Sequence, residues 1–326
     1  LDRALMLYEA VIEKAPRHFV ALHNLGAIWL NRGEHRKAID LFNRAITLNP
    51  KYSDALNNLA AALRREKDYP GALNAIQKAL RLKPDFVEAY YNLGNILLEL
   101  GDYEQAADAF KKAVLLNPKD FEAYNNLAST LLQLGRYRDA RHACRRSLSI
   151  KADHPRAHYN LGRLFLKERN LAEAIKAFNE VLRLDPSFSD AYLNLGNIMV
   201  FQESIPEAIA FFQEAVSRDP SSADAHYNLG LGFDRIHDLD REIRCQDEAL
   251  VHCPGAVQSW IGGIRAFSKV ADWKRVDPLC ENILRHQFSK AETSLQSSAL
   301  FMLHTYPMSD QARFRQHVKW GKHFVK

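Results

Sequence analysis

A four-letter phrase returns along the chain at a constant interval of 34 residues. It reads HNLG, NNLA, YNLG, NNLA, YNLG, LNLG and YNLG, and its second letter is always asparagine. The seven asparagines are Asn24, Asn58, Asn92, Asn126, Asn160, Asn194 and Asn228. Prolines keep the same interval, with Ala152 in the one gap, at Pro16, Pro50, Pro84, Pro118, Pro186, Pro220 and Pro254. A repeat that never loses its phase predicts a stack of small similar units rather than one compact core.

Each unit reads as two helices joined by a turn and closed by the proline. In LNNLAAALRREKDYPGALNAIQKALRLKP the apolar residues recur at helical spacing, and in other units Gly33, Gly101 and Gly135 mark the turn. Small residues in the first helix form the column Gly26, Ala60, Gly94, Ala128, Gly162, Gly196 and Gly230. Small residues in the second helix form the column Ala38, Ala72, Ala106, Ala140, Ala174 and Ala208. Bulkier residues follow at Phe42, Ile76, Phe110, Cys144, Phe178 and Phe212. We expect the small residues to let the two helices approach and the bulky ones to fill the groove between them.

This pattern of small, large and small columns ending in proline resembles the tetratricopeptide repeat. The resemblance implies an all-α fold, a right-handed superhelix or α-solenoid of stacked antiparallel helix pairs. Seven repeats are predicted over residues 19–256, after a half repeat at 1–18 that supplies only a second helix. Residues 257–290 form a degenerate closing repeat, with Val276 in the alanine column and Phe288 in place of proline, and 291–326 form a helical connector. Since the chain begins inside a repeat, we expect it to be part of a longer array.

The asparagine column lies on the first helix, which lines the concave face of such a superhelix. A primary amide both donates and accepts hydrogen bonds, so it can hold the backbone of an extended peptide without reading its side chains. Units about 9 to 10 Å apart would give one asparagine for about every third residue of a ligand that advances about 3.3 Å per residue. The alternative is a structural column that bonds neighbouring helices. The seven asparagines are therefore candidate peptide-binding residues.

Two other exposed columns offer selectivity. Acidic residues near the start of the first helix stand at Asp54, Glu88, Glu122, Asp190 and Asp224, interrupted by Val20 and Arg156. They either attract basic or hydroxyl-bearing segments or reflect the ordinary preference of helix N-termini for carboxylates. The column before the asparagine contains no lysine, which speaks against the carboxylate-clamp repeats that hold chaperone C-termini.

One apolar pair stands out of character. Phe201 occupies an otherwise polar column, and Ile205 follows four residues later. Such a pair predicts a contact with a partner or with a second copy in a homodimer, the alternative being extra local packing.

Catalytic, metal and nucleic-acid chemistry find little support in the sequence. His154 and His158 are separated by four residues, but Pro155 lies between them and no third ligand is evident. No phosphate-binding loop, nucleophile elbow or HExxH motif is present, so we expect no enzyme activity, cofactor or metal. The formal charge of +5 leaves 39 basic against 37 acidic residues outside 291–326, which argues against a nucleic-acid surface along the repeats. No apolar stretch is long enough to span a membrane. The four cysteines form no CxxC pair, which favours reduced thiols and the cytoplasm.

The end of the chain carries a second resemblance. Asp272-Trp273, the apolar run around Leu300 to Leu303, and a helix ending at His317 and Trp320-Gly321 resemble the connector that precedes the catalytic core of O-linked N-acetylglucosamine transferase-like glycosyltransferases. That family's repeats carry an asparagine ladder that holds the substrate backbone. The resemblance implies that this chain recruits substrates for a core it does not contain, with the basic aromatic tail packed on that core. A membrane-surface helix is the rival reading of the tail, and a stand-alone scaffold for protein complexes is the alternative function.

Overall fold

The computed structural model describes residues 2–286, and these residues form helices without a strand. The seventeen helices in this part of the chain are α1 (Asp2–Lys14), α2 (Phe19–Asn31), α3 (His35–Leu48), α4 (Ser53–Arg65), α5 (Tyr69–Leu82), α6 (Val87–Glu99), α7 (Tyr103–Leu116), α8 (Phe121–Gln133), α9 (Tyr137–Ile150), α10 (Pro155–Lys167), α11 (Leu171–Leu184), α12 (Ser189–Phe201), α13 (Ile205–Arg218), α14 (Ala223–Arg235), α15 (Leu239–His252), α16 (Val257–Lys269) and α17 (Trp273–Arg285). The predicted all-α fold is confirmed. The connector at 291–326 lies outside the described residues.

The chain divides into two compact units, residues 1–168 and 169–326. In the first unit the closest helix neighbours are the pairs α2 and α3, α4 and α5, α6 and α7, and α8 and α9. In the second unit they are α12 and α13, α14 and α15, and α16 and α17. Each unit is therefore a stack of helix pairs, as the 34-residue pattern predicts.

Each stack has two distinct sides. First helices of successive repeats contact one another, as α4 does with α6 and α14 with α16. No two successive second helices within residues 2–286 approach to the same extent. The first helices therefore lie on the inner, more crowded side of each unit, here called the inner face, and the second helices form the outer face.

In three helix pairs a glycine of the first helix makes room for a phenylalanine ring of the second. A Cβ added at Gly94 would lie 2.6 Å from the Cε1 of Phe110, which is fully buried. The same conflict would arise at Gly26 with Phe42 and at Gly196 with Phe212, at 2.8 and 2.5 Å.

In the other repeats of the first unit, alanine replaces the glycine of the first helix and a smaller residue replaces the phenylalanine of the second. Where the first helix carries Ala60 or Ala128, the bulky column holds Ile76 or Cys144 instead of phenylalanine. Helix contact in each repeat is therefore a matched pair of volumes, which is what close packing demands.

The turn between the two helices of a repeat has a fixed left-handed residue. Its φ is positive at Gly33, Gly101 and Gly135, and non-glycine residues adopt the same conformation at Lys67, Arg169, Glu203, His237 and Ala271. These positions are all separated by multiples of 34 residues. Glycine is favoured there because it lacks the Cβ that crowds a left-handed backbone.

Helix length and composition exclude a transmembrane helix in the described segment, since none of its helices combines enough residues with enough apolar character to cross a bilayer.

Candidate functional site

The asparagine column lies in the middle of the first helices, along the inner face. Six of its members are half-buried. Asn160 is the exception, with only 4% of its surface exposed. The column therefore combines access to solvent with contact to neighbouring helices.

In the first unit, each asparagine bonds to the repeat before it. The acceptor is the residue that precedes the asparagine of that earlier repeat. The four bonds run from the Nδ2 of Asn58 to His23 Nε2 at 2.9 Å, of Asn92 to Asn57 Oδ1 at 2.9 Å, of Asn126 to Tyr91 Oη at 3.1 Å, and of Asn160 to Asn125 Oδ1 at 2.8 Å. The column thus connects successive repeats, as the structural alternative requires.

Short bonds within a repeat extend these links. The Nδ1 of His23 lies 3.2 Å from Asn24 Oδ1, and Asn57 donates to Asn58 Oδ1 at 3.3 Å. Asn24 in turn donates to Tyr8 Oη at 3.1 Å. A continuous chain of side chains therefore runs from Asn92 back to Tyr8.

His23 takes part in this chain as a neutral imidazole. Because Nε2 accepts from Asn58, the ring proton lies on Nδ1, which is 3.2 Å from Asn24 Oδ1 and 3.1 Å from Tyr52 Oη. Burial lowers the pKa of His23 below its ordinary value of 6.5, and the bond to Asn24 partly opposes that change.

The second unit shows why the acceptor matters. Leu193, which precedes Asn194, has no polar side-chain atom. Asn228, in the following repeat, donates instead to the backbone oxygen of Asp224 in its own helix at 2.9 Å. An inter-repeat bond therefore depends on the polarity of one residue in the preceding repeat.

The other predicted contact residues lie near this face. Asp54, Glu88, Asp190 and Asp224 are exposed and Glu122 is half-buried, so the acidic column meets solvent. Phe201, at the end of α12, is 76% exposed. Ile205 is half-buried and packs against the core around Phe212, so Phe201 alone presents a large apolar surface.

Two buried polar residues were missed by the sequence reasoning. Glu242 continues the alanine column and Gln246 the bulky column, yet each is 1% exposed. Lys269 donates to both carboxylate oxygens of Glu242, at 3.0 and 2.7 Å. Burial raises the pKa of Glu242, and the Lys269 bond opposes the rise. The signal was available, because a charged residue in a column of alanines demands a partner.

Gln246 also accounts for the end of the asparagine column. The next position in the column is Gly262, and a Cβ there would clash with Gln246 Oε1. Gln246 donates to Tyr227 O at 3.3 Å across the same contact. A side chain at residue 262 would therefore require Gln246 to move.

His154 and His158, the histidine pair considered for metal binding, contact different partners. His154 lies 3.6 Å from Glu122 and His158 bonds to Ala152 O at 2.9 Å. Burial lowers the pKa of His154. Across residues 2–286, no group of three or more His, Cys, Asp or Glu side chains is placed to hold a metal ion.

Models of the tetratricopeptide repeat match most of the chain. One matches residues 19–52, and another matches five overlapping segments from 57 to 256, namely 57–121, 91–155, 125–189, 159–222 and 193–256. The chain belongs to the tetratricopeptide repeat family. No curated protein sequence matches it.

Solved tetratricopeptide-type structures share the fold at low sequence identity. The APC/C hetero-tetramer Cut9-Hcn1 aligns over 80% of this chain and 52% of its own, with 18% identity and a TM-score of 0.64. A tetratricopeptide repeat protein from Parabacteroides merdae aligns over 75% and 93%, with 19% identity and a TM-score of 0.61. PilF of Pseudomonas aeruginosa aligns over 64% and 94%, with 18% identity and a TM-score of 0.55. Family membership and fold together support a protein-binding scaffold built purely of repeats over the described residues.

Proposed function

We propose that this chain holds extended peptide segments of partner proteins along its inner face, through the asparagine column. The observation that carries the proposal is the geometry of the column. Its amides recur once per repeat on the crowded side of each stack, and all but Asn160 retain partial exposure. A ligand that runs along the stack would meet the same polar group in successive repeats.

At Asn58 and Asn92 the hydrogen bonds between repeats leave part of the amide available, whereas Asn126 donates to both Tyr91 Oη and Asn95 Oδ1. A primary amide has two N–H groups and two acceptor positions. Asn92 uses one N–H for Asn57, and Asn58 uses one N–H for His23 while its oxygen accepts one bond. The inter-repeat bonds therefore fix the side chain and leave capacity for a ligand, which lowers the entropy lost on binding.

Selectivity would come from the residues beside the column. The exposed carboxylates of Asp54, Glu88, Asp190 and Asp224 favour segments that carry basic or hydroxyl side chains. Phe201 adds one apolar contact for a partner or a second copy of the chain. Backbone recognition by amides with charge selection at the edge gives broad but not indiscriminate binding.

The resemblance of the chain's end to the connector of O-linked N-acetylglucosamine transferase-like glycosyltransferases extends the proposal. In that reading the repeats recruit protein substrates for a catalytic core outside this chain. Asp272 and Trp273 stand at the start of α17, while Leu300–Leu303, His317 and Trp320-Gly321 lie outside the described residues. A stand-alone scaffold is the second candidate, favoured by the family's general use in protein binding.

The thiols agree with a reducing compartment such as the cytoplasm. All four cysteines are free, and three of them are buried. Burial raises the pKa of Cys144 to about 12 and that of Cys245 to about 11, which keeps both as unreactive thiols.

A variant with four residues of the asparagine column changed to alanine tests the proposed peptide binding. The changes are Asn92→Ala, Asn126→Ala, Asn160→Ala and Asn194→Ala. Three exposed asparagines of the outer face provide the matched control, Asn43→Ala, Asn74→Ala and Asn179→Ala. Both proteins are titrated with a library of unstructured peptides and melted in parallel.

If the asparagine column binds peptides, the column variant should lose most peptide binding while the control variant keeps it. If the wild-type chain binds no peptide and the column variant melts at a lower temperature, the asparagines have a structural role instead.

A further inference from the structure

A groove opens on the outer face of the first unit, between the second helices α5 and α7. Its floor is α6, and its volume is about 610 Å³. Leu73, Tyr90, Leu93, Leu97 and Leu100 supply an apolar lining, and of these Leu100 is 46% exposed. A cavity of this size is typical of sites that take a bulky side chain or a small ligand.

A small residue of α7 forms part of one wall of the groove, and the same column is also alanine in α5, α9 and α11. Ala109 lies in its wall and belongs to a column that holds Leu41 in α3 and Phe211 in α13. A larger residue at 109 would occupy space that the groove now leaves free.

The groove is lined by charges of both signs, and its two carboxylates already bond to groups within α7. Asp102 caps the start of α7 and accepts from Gln105, and Asp108 accepts from Lys111 at 2.9 Å. Lys112 also lines the groove and is exposed, and no carboxylate in residues 2–286 lies within ion-pair distance of it. The rim therefore offers an ammonium group that its own carboxylates leave unpaired.

Lys112 belongs to a stripe of cations along the outer face. The second helix of each repeat from α3 to α9 carries a basic residue at this position. The four residues are Arg44, Lys78, Lys112 and Arg146, and all are exposed. The same position in the second unit is glutamate in each of α11, α13 and α15. The sign of the charge is thus constant over the first unit and opposite in the second.

Helix α9 strengthens the positive side of this surface. Arg138, His142 and Arg145 are exposed, and the structure pairs none of them with a carboxylate within the described residues. The guanidinium of Arg146 lies 5.7 Å from the centre of the Tyr124 ring, which holds it over α8. An anionic partner would meet cations on both sides of α7.

We infer that this outer groove binds an acidic segment of a partner protein, which inserts one apolar side chain and places carboxylates on Lys112 and Arg146. Successive repeats lie about 10 Å apart and an extended chain advances about 3.3 Å per residue, so the carboxylates would stand about three residues apart. Apolar burial would supply affinity and the charge pairs would set the register. This site lies on the opposite side of the repeats from the asparagine column.

The test uses a short fluorescein-labelled peptide, with one leucine followed by two glutamates spaced about three residues apart in a serine-glycine background. Binding to the full chain is followed by anisotropy, and the site is located from leucine methyl shifts in NMR spectra. We expect the methyl signals of Leu97 and Leu100 to shift. A peptide with alanine for leucine should bind at least about fivefold more weakly, because the groove is then left empty.

Two variants and two controls make the result specific. Lys112→Glu, which introduces the residue found in this column of the second unit, should weaken binding about fivefold or more. Lys51→Glu makes the same charge change at an exposed turn and should alter binding less than about twofold. Ala109→Leu, a residue the column already accommodates at Leu41, should block the groove.

The second control separates this site from the inner face, because Asn92→Ala should leave binding of the acidic peptide unchanged. Equal losses in Lys112→Glu and Lys51→Glu would reduce the effect to net charge and overturn the inference. Methyl shifts confined to inner-face leucines would overturn it as well.

Discussion

Gly94→Ala is expected to destabilise the chain, although alanine is the better helix former. The added Cβ would stand 2.6 Å from a ring carbon of Phe110, whose side chain is fully buried and has no room to turn away. Overpacking of this kind costs about 1 to 3 kcal/mol, whereas the helix propensity of alanine returns about 1 kcal/mol. We expect a net loss of about 1 kcal/mol in the free energy of unfolding.

The partner residue decides whether this reasoning is correct. Phe110→Ile reproduces the pair that Ala60 and Ile76 already form two helices earlier, so it should relieve the clash. In the double variant we expect the two changes to be coupled favourably by about 1 kcal/mol or more.

Guanidinium unfolding followed by far-UV circular dichroism measures all four proteins, with a nearest-neighbour treatment of the repeats. Additive effects, or a Gly94→Ala protein more stable than wild type, would refute the matched-volume account.

Four single substitutions test three other expectations. Lys67→Gly should raise the free energy of unfolding by about 1 kcal/mol, because Lys67 has a φ of 62°, and Gly135→Ala should lower it by a similar amount, both measured by chemical denaturation. His23→Asn should flatten the dependence of stability on pH. Burial lowers the folded-state pKa of His23, so its contribution is complete above pH 6.5 and is lost as the pH falls through the lowered pKa, and melts from about pH 7 to about pH 5 would show the stability gap closing. Phe201→Ser should reduce any self-association seen by light scattering while leaving the melting temperature unchanged. If the variant and the wild type have the same mass at every concentration, Phe201 makes no contact between copies of the chain.

Much of the fold was predictable because periodicity alone places the helices and their small contact residues. The pairing of Gly94 with Phe110 could be inferred from one column of small and one of bulky residues, since both face the same helix contact. The charge reversal in the column of Lys112 was equally visible in the sequence, but its significance depends on a groove that only coordinates reveal.

The candidate site was less predictable. The sequence placed the asparagines on one helix face, yet it did not specify that Asn92 would donate to Asn57 of the previous repeat, because that bond depends on the distance between stacked helices. It also gave no warning of how Glu242 would be satisfied. Its partner Lys269 lies in the next repeat, in a column whose members are all exposed.

The bonds from asparagine to the preceding repeat impose an order on the array. Glycine and phenylalanine are matched inside one repeat, so that contact stays with the repeat when it is moved. Asn58, by contrast, needs His23, and Asn92 needs Asn57, so these repeats depend on what stands before them. An engineer who rearranged the array could move a repeat together with its glycine–phenylalanine contact, but only a neighbour with a hydroxyl, imidazole or amide at that position would restore the link. The asparagine at 228, which follows a repeat with leucine there, already shows the unlinked form.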